Sequence, residues 1–139
     1  MRVKLVLSLL VFSTPVWAAD IVSGPIEAIV EKVRDGDTFE AIATPWPGHR
    51  IPVAVRIIGI DTPEIDGECD AENELAQKAK LRASVLVGQK VQLLDVRGGK
   101  YFGRILARVV TSDGKDLGKT LLNEELARPY SSNGQDWCS

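Results

Sequence analysis

Ile51-Pro52-Val53-Ala54-Val55-Arg56-Ile57-Ile58-Gly59-Ile60-Asp61-Thr62-Pro63-Glu64 is the stretch from which the fold can be read. Its β-branched run predicts a long strand from Ile51 to Ile60, ended by Asp61-Thr62-Pro63, where local side-chain bonds and the proline ring favour a turn. Upstream, Ile26 to Arg34 predicts a strand, Asp35-Gly36 a hairpin turn, and Thr38 to Ala43 the returning strand. Thr44-Pro45-Trp46-Pro47-Gly48-His49 reads as a loop. Downstream, Leu75, Ala79, Ala83 and Leu86 recur at helical spacing within Asp70–Val87, and Gly88 ends that helix. Val91 to Val96 and Tyr101 to Val110 predict two more strands, joined around Arg97-Gly98-Gly99. Asp116 caps a second helix bearing Leu117, Leu121, Leu122 and Leu126, which Pro129 is expected to stop. The order is three strands, helix, two strands, helix. It predicts an α+β, mainly β fold: a five-stranded Greek-key barrel of the OB type with two packed helices.

The chain opens Met1-Arg2-Val3-Lys4, runs apolar from Leu5 to Phe12 with one serine, and reaches Val16-Trp17-Ala18-Ala19. A basic start, a short apolar block and small residues describe a secretory signal peptide over residues 1–18, cleaved after Ala18. The block is too short to span a bilayer, which needs about 20 residues. A secreted or periplasmic product follows, with no membrane association after cleavage. Residues 19–139 then form about 120 residues, one domain's worth and enough for one core. The sequence holds 17 basic and 19 acidic residues; losing Arg2 and Lys4 leaves 15 against 19, a net charge of −4. Such a balance gives no general attraction to a polyanion, so any binding of one must rest on a local basic face and bound metal.

Cys69 and Cys138 are the only cysteines. In an oxidising compartment they are expected to form one disulfide. Closing a loop of about 70 residues is worth about 4 kcal/mol on the chain-entropy model. Neither cysteine falls in the polar motifs described next, so the bridge is expected to serve stability more than chemistry. With two cysteines and a single histidine, His49, a Cys-only zinc site is impossible and a structural zinc is not expected.

Arg56 lies inside an apolar run, where an unpaired charge would be very costly. It must meet a carboxylate or a bound anion; a structural salt bridge is the plain alternative. Asp37 and Asp61 fall at strand ends, where two acids can approach only if a cation or proton offsets their repulsion. Turn-capping and an Asx turn are the plain alternatives. Arg104 follows Gly103 in Tyr101-Phe102-Gly103-Arg104, and Arg108 falls two strand periods further along the same face. Oxygen ligands for a hard cation, two guanidinium groups for a phosphate, and a spare carboxylate at Glu64 to take a proton from water together describe phosphodiester chemistry.

Asp35-Gly36-Asp37-Thr38, Arg56 followed by Asp61-Thr62-Pro63-Glu64, and Tyr101-Phe102-Gly103-Arg104 in this order resemble the staphylococcal nuclease (thermonuclease) family, over roughly Ile26 to Tyr130. The resemblance implies an OB barrel, a Ca²⁺ cofactor, and hydrolysis of DNA and RNA, single strands preferred, by a monomer. It implies Asp37, Asp61 and the Thr62 carbonyl as metal ligands, Glu64 as general base, and Arg56 and Arg104 as the clamp on the scissile phosphate. Asp35 and Thr38 complete the turn around the metal. Phe102 stands where the family often has a tyrosine, and Tyr130 is placed to replace a base-stacking tyrosine. The competing expectation is a non-catalytic secreted OB module that binds nucleic acid or another ligand. A structural Ca²⁺ protein is a third, but it would not need two strand arginines.

Overall fold

The computed structural model describes residues 20–139, so the expected signal peptide lies outside the described residues. The elements are β1 (Ile26–Asp35), β2 (Thr38–Trp46), β3 (His49–Ile57), β4 (Ile60–Asp61), α1 (Asp70–Val87), β5 (Lys90–Gly98), β6 (Arg104–Thr111), α2 (Leu117–Asn123) and β7 (Arg128–Pro129). Five strands close a barrel in the order β1-β2-β3-β6-β5, and β4 pairs with β7 as a separate two-stranded ribbon. All barrel pairs are antiparallel except β3 with β6, which run parallel. The expected five-stranded OB-type barrel with two helices is what the chain forms.

Alternation along the strands sends Phe39, Val55, Leu93 and Val109 into the barrel, all at most 2% exposed. Truncating Phe39 to alanine there should cost about 3–5 kcal/mol. Helix α1 turns Ala76, Ala79 and Ala83 inward, and side chains this small let its axis approach the β1–β2 turn closely. Asp116 caps α2 by accepting from the Lys119 amide at 3.0 Å. Arg82 of α1 makes two 2.7 Å bonds to Glu124, tying the helices together at the surface. Cys69, just before α1, is bonded to Cys138, with Cα atoms 6.0 Å apart.

Several expectations about element ends are corrected, among them the start of β6, which lies at Arg104 and not at Tyr101. The long strand breaks after Ile57, because Gly59 takes a φ of 81°; Ile60 and Asp61 leave the barrel and pair with Pro129 and Arg128. The loop expected over residues 44–49 shrinks to Pro47-Gly48, since β2 runs to Trp46 and Trp46 pairs with His49. Pro129 does not stop α2. That helix ends at Asn123, Glu125 turns left-handed at a φ of 58°, and Pro129 instead sits in β7.

Candidate functional site

Site residues gather where the β1–β2 turn meets the end of β3. Gly36 makes this possible: a Cβ there would lie 2.8 Å from Thr62 Cγ2 and 2.9 Å from Ala79 Cβ. Only glycine lets the turn touch both the Thr62 segment and α1. Asp37, 4% exposed, is thereby placed beside Asp61 and Thr62. Its Oδ2 accepts from the Thr62 amide at 3.0 Å, and its Oδ1 accepts from Thr38 Oγ1 at 2.8 Å. Thr38 therefore orients Asp37.

Arg56 stands between the two acids. Its Nη1 lies 2.8 Å from Asp37 Oδ1 and its Nη2 2.6 Å from Asp61 Oδ1. Burial alone would lower the guanidinium's proton affinity, but the charges of Asp37, Asp61 and Asp35 outweigh it and raise it. Asp35 sits half-buried in the same cluster. Burial first, then the neighbouring Asp37 carboxylate and Glu64, push its pKa up to about 7. Asp35 Oδ1 and Thr62 Oγ1 are buried without a hydrogen-bond partner among the described residues. Two unspent oxygens beside two carboxylates are a donor set of oxygen alone, which fits a hard cation. The residues present therefore suit a hard cation, with Asp37, Asp61 and Thr62 able to hold one.

Arg104 joins Arg56 through the parallel β3–β6 ladder. Ala54 pairs with Arg104 and Arg56 with Leu106, so alternation puts both arginines on one face. Both line a cavity of about 560 Å³ together with Arg97, Lys100, Tyr101 and Tyr130. The Nε atoms of Arg104 and Arg97 are buried there without a partner among the described residues. Arg108 does not share this cavity. It lies 3.3 Å from Asp95 and 3.8 Å from Asp116, and is an ordinary surface ion-pair residue. Arg97 was not singled out by sequence, where it read as part of a turn. In the structure β5 runs on through Arg97 to Gly98, two residues past its expected end at Val96.

Glu64 is exposed and lines a second cleft, of about 410 Å³, with Asp61 and Thr62. The segment carrying it is held by Glu72, a buried acid with no cationic partner among the described residues. Glu72 Oε1 accepts from the Glu64 amide at 3.2 Å and Oε2 from the Glu68 amide at 2.9 Å. Asp66, Glu68 and Asp70 around it are exposed. The sequence signal for Glu72 was its place three residues after the helix-start residue Cys69, where an acid can reach back to free amides. Residues 131–139 wall the other side of this cleft. Asp61 Oδ2 accepts from the Ser131 amide at 3.1 Å and from Gln135 Nε2 at 3.3 Å. Neither residue carried a signal in the sequence. Asp61 lines the acidic cleft, Arg56 lines the basic cavity, and their ion pair joins the two.

No curated protein matches the chain. A family model described as Staphylococcal nuclease homologue matches residues 54–137. That span holds Arg56, Asp61, Thr62, Glu64 and Arg104, while Asp35 and Asp37 precede it. Family and barrel together support a nuclease-like or nucleic-acid-related function. With more than half of its length matched, from the arginine strand through the segment against Asp61, the chain belongs to the Staphylococcal nuclease homologue family.

Proposed function

We propose that this chain is a secreted, Ca²⁺-dependent nuclease that hydrolyses phosphodiester bonds of DNA and RNA, with single strands preferred. One observation carries the reading: Arg56 is ion-paired to both candidate metal ligands, Asp37 and Asp61, and lines the same cavity as Arg104. A purely structural arginine would not need a second arginine beside it whose buried Nε has no hydrogen-bond partner among the described residues.

In this mechanism Asp37, Asp61 and the Thr62 carbonyl would hold Ca²⁺. When bound, the ion would supply Lewis acidity to the reacting phosphate and the attacking water. Glu64 takes the proton from that water as it attacks phosphorus in line, a role its solvent-exposed carboxylate suits. Arg56 and Arg104 donate to the phosphoryl oxygens and the departing oxygen, where negative charge grows in the transition state. Tyr101 and Tyr130, both exposed on the cavity wall, offer faces on which unpaired bases can stack. Stacking of that kind favours single strands, because a duplex keeps its bases covered.

Incubation of the protein with labelled single-stranded DNA and RNA, with Ca²⁺ and then with excess chelator, tests the proposal. Cleavage with Ca²⁺ and none with chelator is expected. Stable binding with intact strands at millimolar-scale Ca²⁺ would instead support a non-catalytic binding module. Asp37→Ala and Asp61→Ala should each weaken Ca²⁺ binding while leaving the barrel folded.

A further inference from the structure

We infer that the 131–139 segment is part of the cation site, with Gln135 as the residue that positions Asp61. The inference rests on the Ca²⁺-dependent reading above and adds a requirement to it. A carboxylate turns easily about its last torsion, which is broad and two-fold. Asp61 is held from both sides. Its Oδ2 takes the Ser131 amide and Gln135 Nε2, and its Oδ1 is left facing Arg56 and, across that guanidinium, Asp37. Gln135 is itself oriented, since Nε2 also donates to the Pro129 carbonyl at 2.8 Å. A neutral amide suits this role, because it turns Asp61 without adding a charge that competes with a cation.

What keeps Gln135 in place is not burial. Ser132, Asn133, Gly134, Asp136 and Cys138 are exposed, and an exposed polar segment cannot offset its own ordering entropy. Two other ties do the holding. Arg128 donates to the Asp136 carbonyl at 2.5 Å and lies over the Trp137 ring at 4.2 Å. The Cys69–Cys138 bond then fixes the far end beside Glu72, whose Oε2 is 3.8 Å from Cys138 Sγ. The bridge thus bears on the site as well as on stability. It closes the segment that orients Asp61 onto the start of the helix whose Glu72 holds Glu64.

The test compares the wild type with Gln135→Met, which keeps length but removes the donor, and with the Cys69→Ala/Cys138→Ala double variant. Ca²⁺ affinity is measured by calorimetry and cleavage as a function of Ca²⁺; circular dichroism checks the fold. Loss of such an outer partner should weaken Ca²⁺ binding about 10-fold in Gln135→Met. The Ca²⁺ needed for half-maximal cleavage should move by the same factor, while turnover at saturating Ca²⁺ recovers, which a general loss of structure would not allow. The double variant should show at least as large a change. If it does not fold, Gln135→Met still decides, since it removes no covalent bond. A wild type that binds Ca²⁺ and cleaves, beside a folded Gln135→Met with unchanged affinity, overturns this inference alone. A wild type that neither binds nor cleaves overturns it together with the proposed function.

Discussion

Arg56 Nη2 lies 2.6 Å from Asp61 Oδ1, so the candidate phosphate clamp and a candidate metal ligand form one ion pair. The second nitrogen of the same guanidinium holds Asp37. In the metal-free protein Arg56 is the only cation within reach of both carboxylates among the described residues. Arg56→Ala should therefore cost about 3 kcal/mol without Ca²⁺, because it leaves two largely buried acids unpaired. Ca²⁺ should then raise the variant's thermal midpoint more than the wild type's, since a cation replaces the lost charge. Equal Ca²⁺-induced shifts in the two proteins would contradict the shared site.

Asp35 gives the metal-free protein a defined pH dependence. Its pKa is about 7 when folded, against 3.8 for the ordinary group, chiefly because it is buried and next to Asp37. Between these values the folded chain holds a proton that the unfolded chain has released. Stability contributed by the protonated group is complete below about pH 4 and is lost as pH rises through about 7. Denaturant titrations in chelator across that window should show this fall, and Asp35→Asn should flatten it. An unchanged slope in Asp35→Asn would assign the pH dependence elsewhere.

Glu72 supports the segment that carries Glu64. Glu72→Ala frees the Glu64 and Glu68 amides and should cost about 1–3 kcal/mol. Turnover should fall further than binding, because the base loses its placement while the arginine cavity is untouched. Equal losses in KM and kcat would indicate a broader collapse of the segment.

Arg97 adds a third guanidinium to the basic cavity. Arg97→Ala should weaken oligonucleotide binding and lower the salt dependence of that binding by about one phosphate contact, with kcat little changed. A salt slope equal to the wild type's would remove Arg97 from the substrate path.

Much of this fold was legible in the chain because its signals are local. The Asp35-Gly36 turn, the alanine and leucine spacing of α1 and the Asp116 cap each act within a few residues. Asp37, Arg56 and Asp61 were legible through acids at strand ends and a charge inside an apolar run, Thr62 only through the family resemblance, and the structure brings the four together. What stayed hidden depends on closure across the chain. Ser131 and Gln135 reach Asp61 from about 70 residues away, and only the barrel, the β4–β7 ribbon and the Cys69–Cys138 bond bring them there. Glu72 was not singled out in the sequence, since composition cannot tell which carboxylate turns inward. Pro129 was misread because proline ends helices and begins edge strands equally well.

The most direct measurement is single-turnover cleavage of a labelled single-stranded oligonucleotide with saturating Ca²⁺ by the wild type and by Glu64→Gln, alongside the affinity of each for the same strand. Glutamine keeps the size and most hydrogen bonding of Glu64 but cannot take a proton from water. The account predicts cleavage slowed by roughly 10²–10⁴-fold with affinity nearly unchanged. Cleavage by Glu64→Gln at the wild-type rate would contradict Glu64 as the base, and intact strands with the wild type would contradict the nuclease itself.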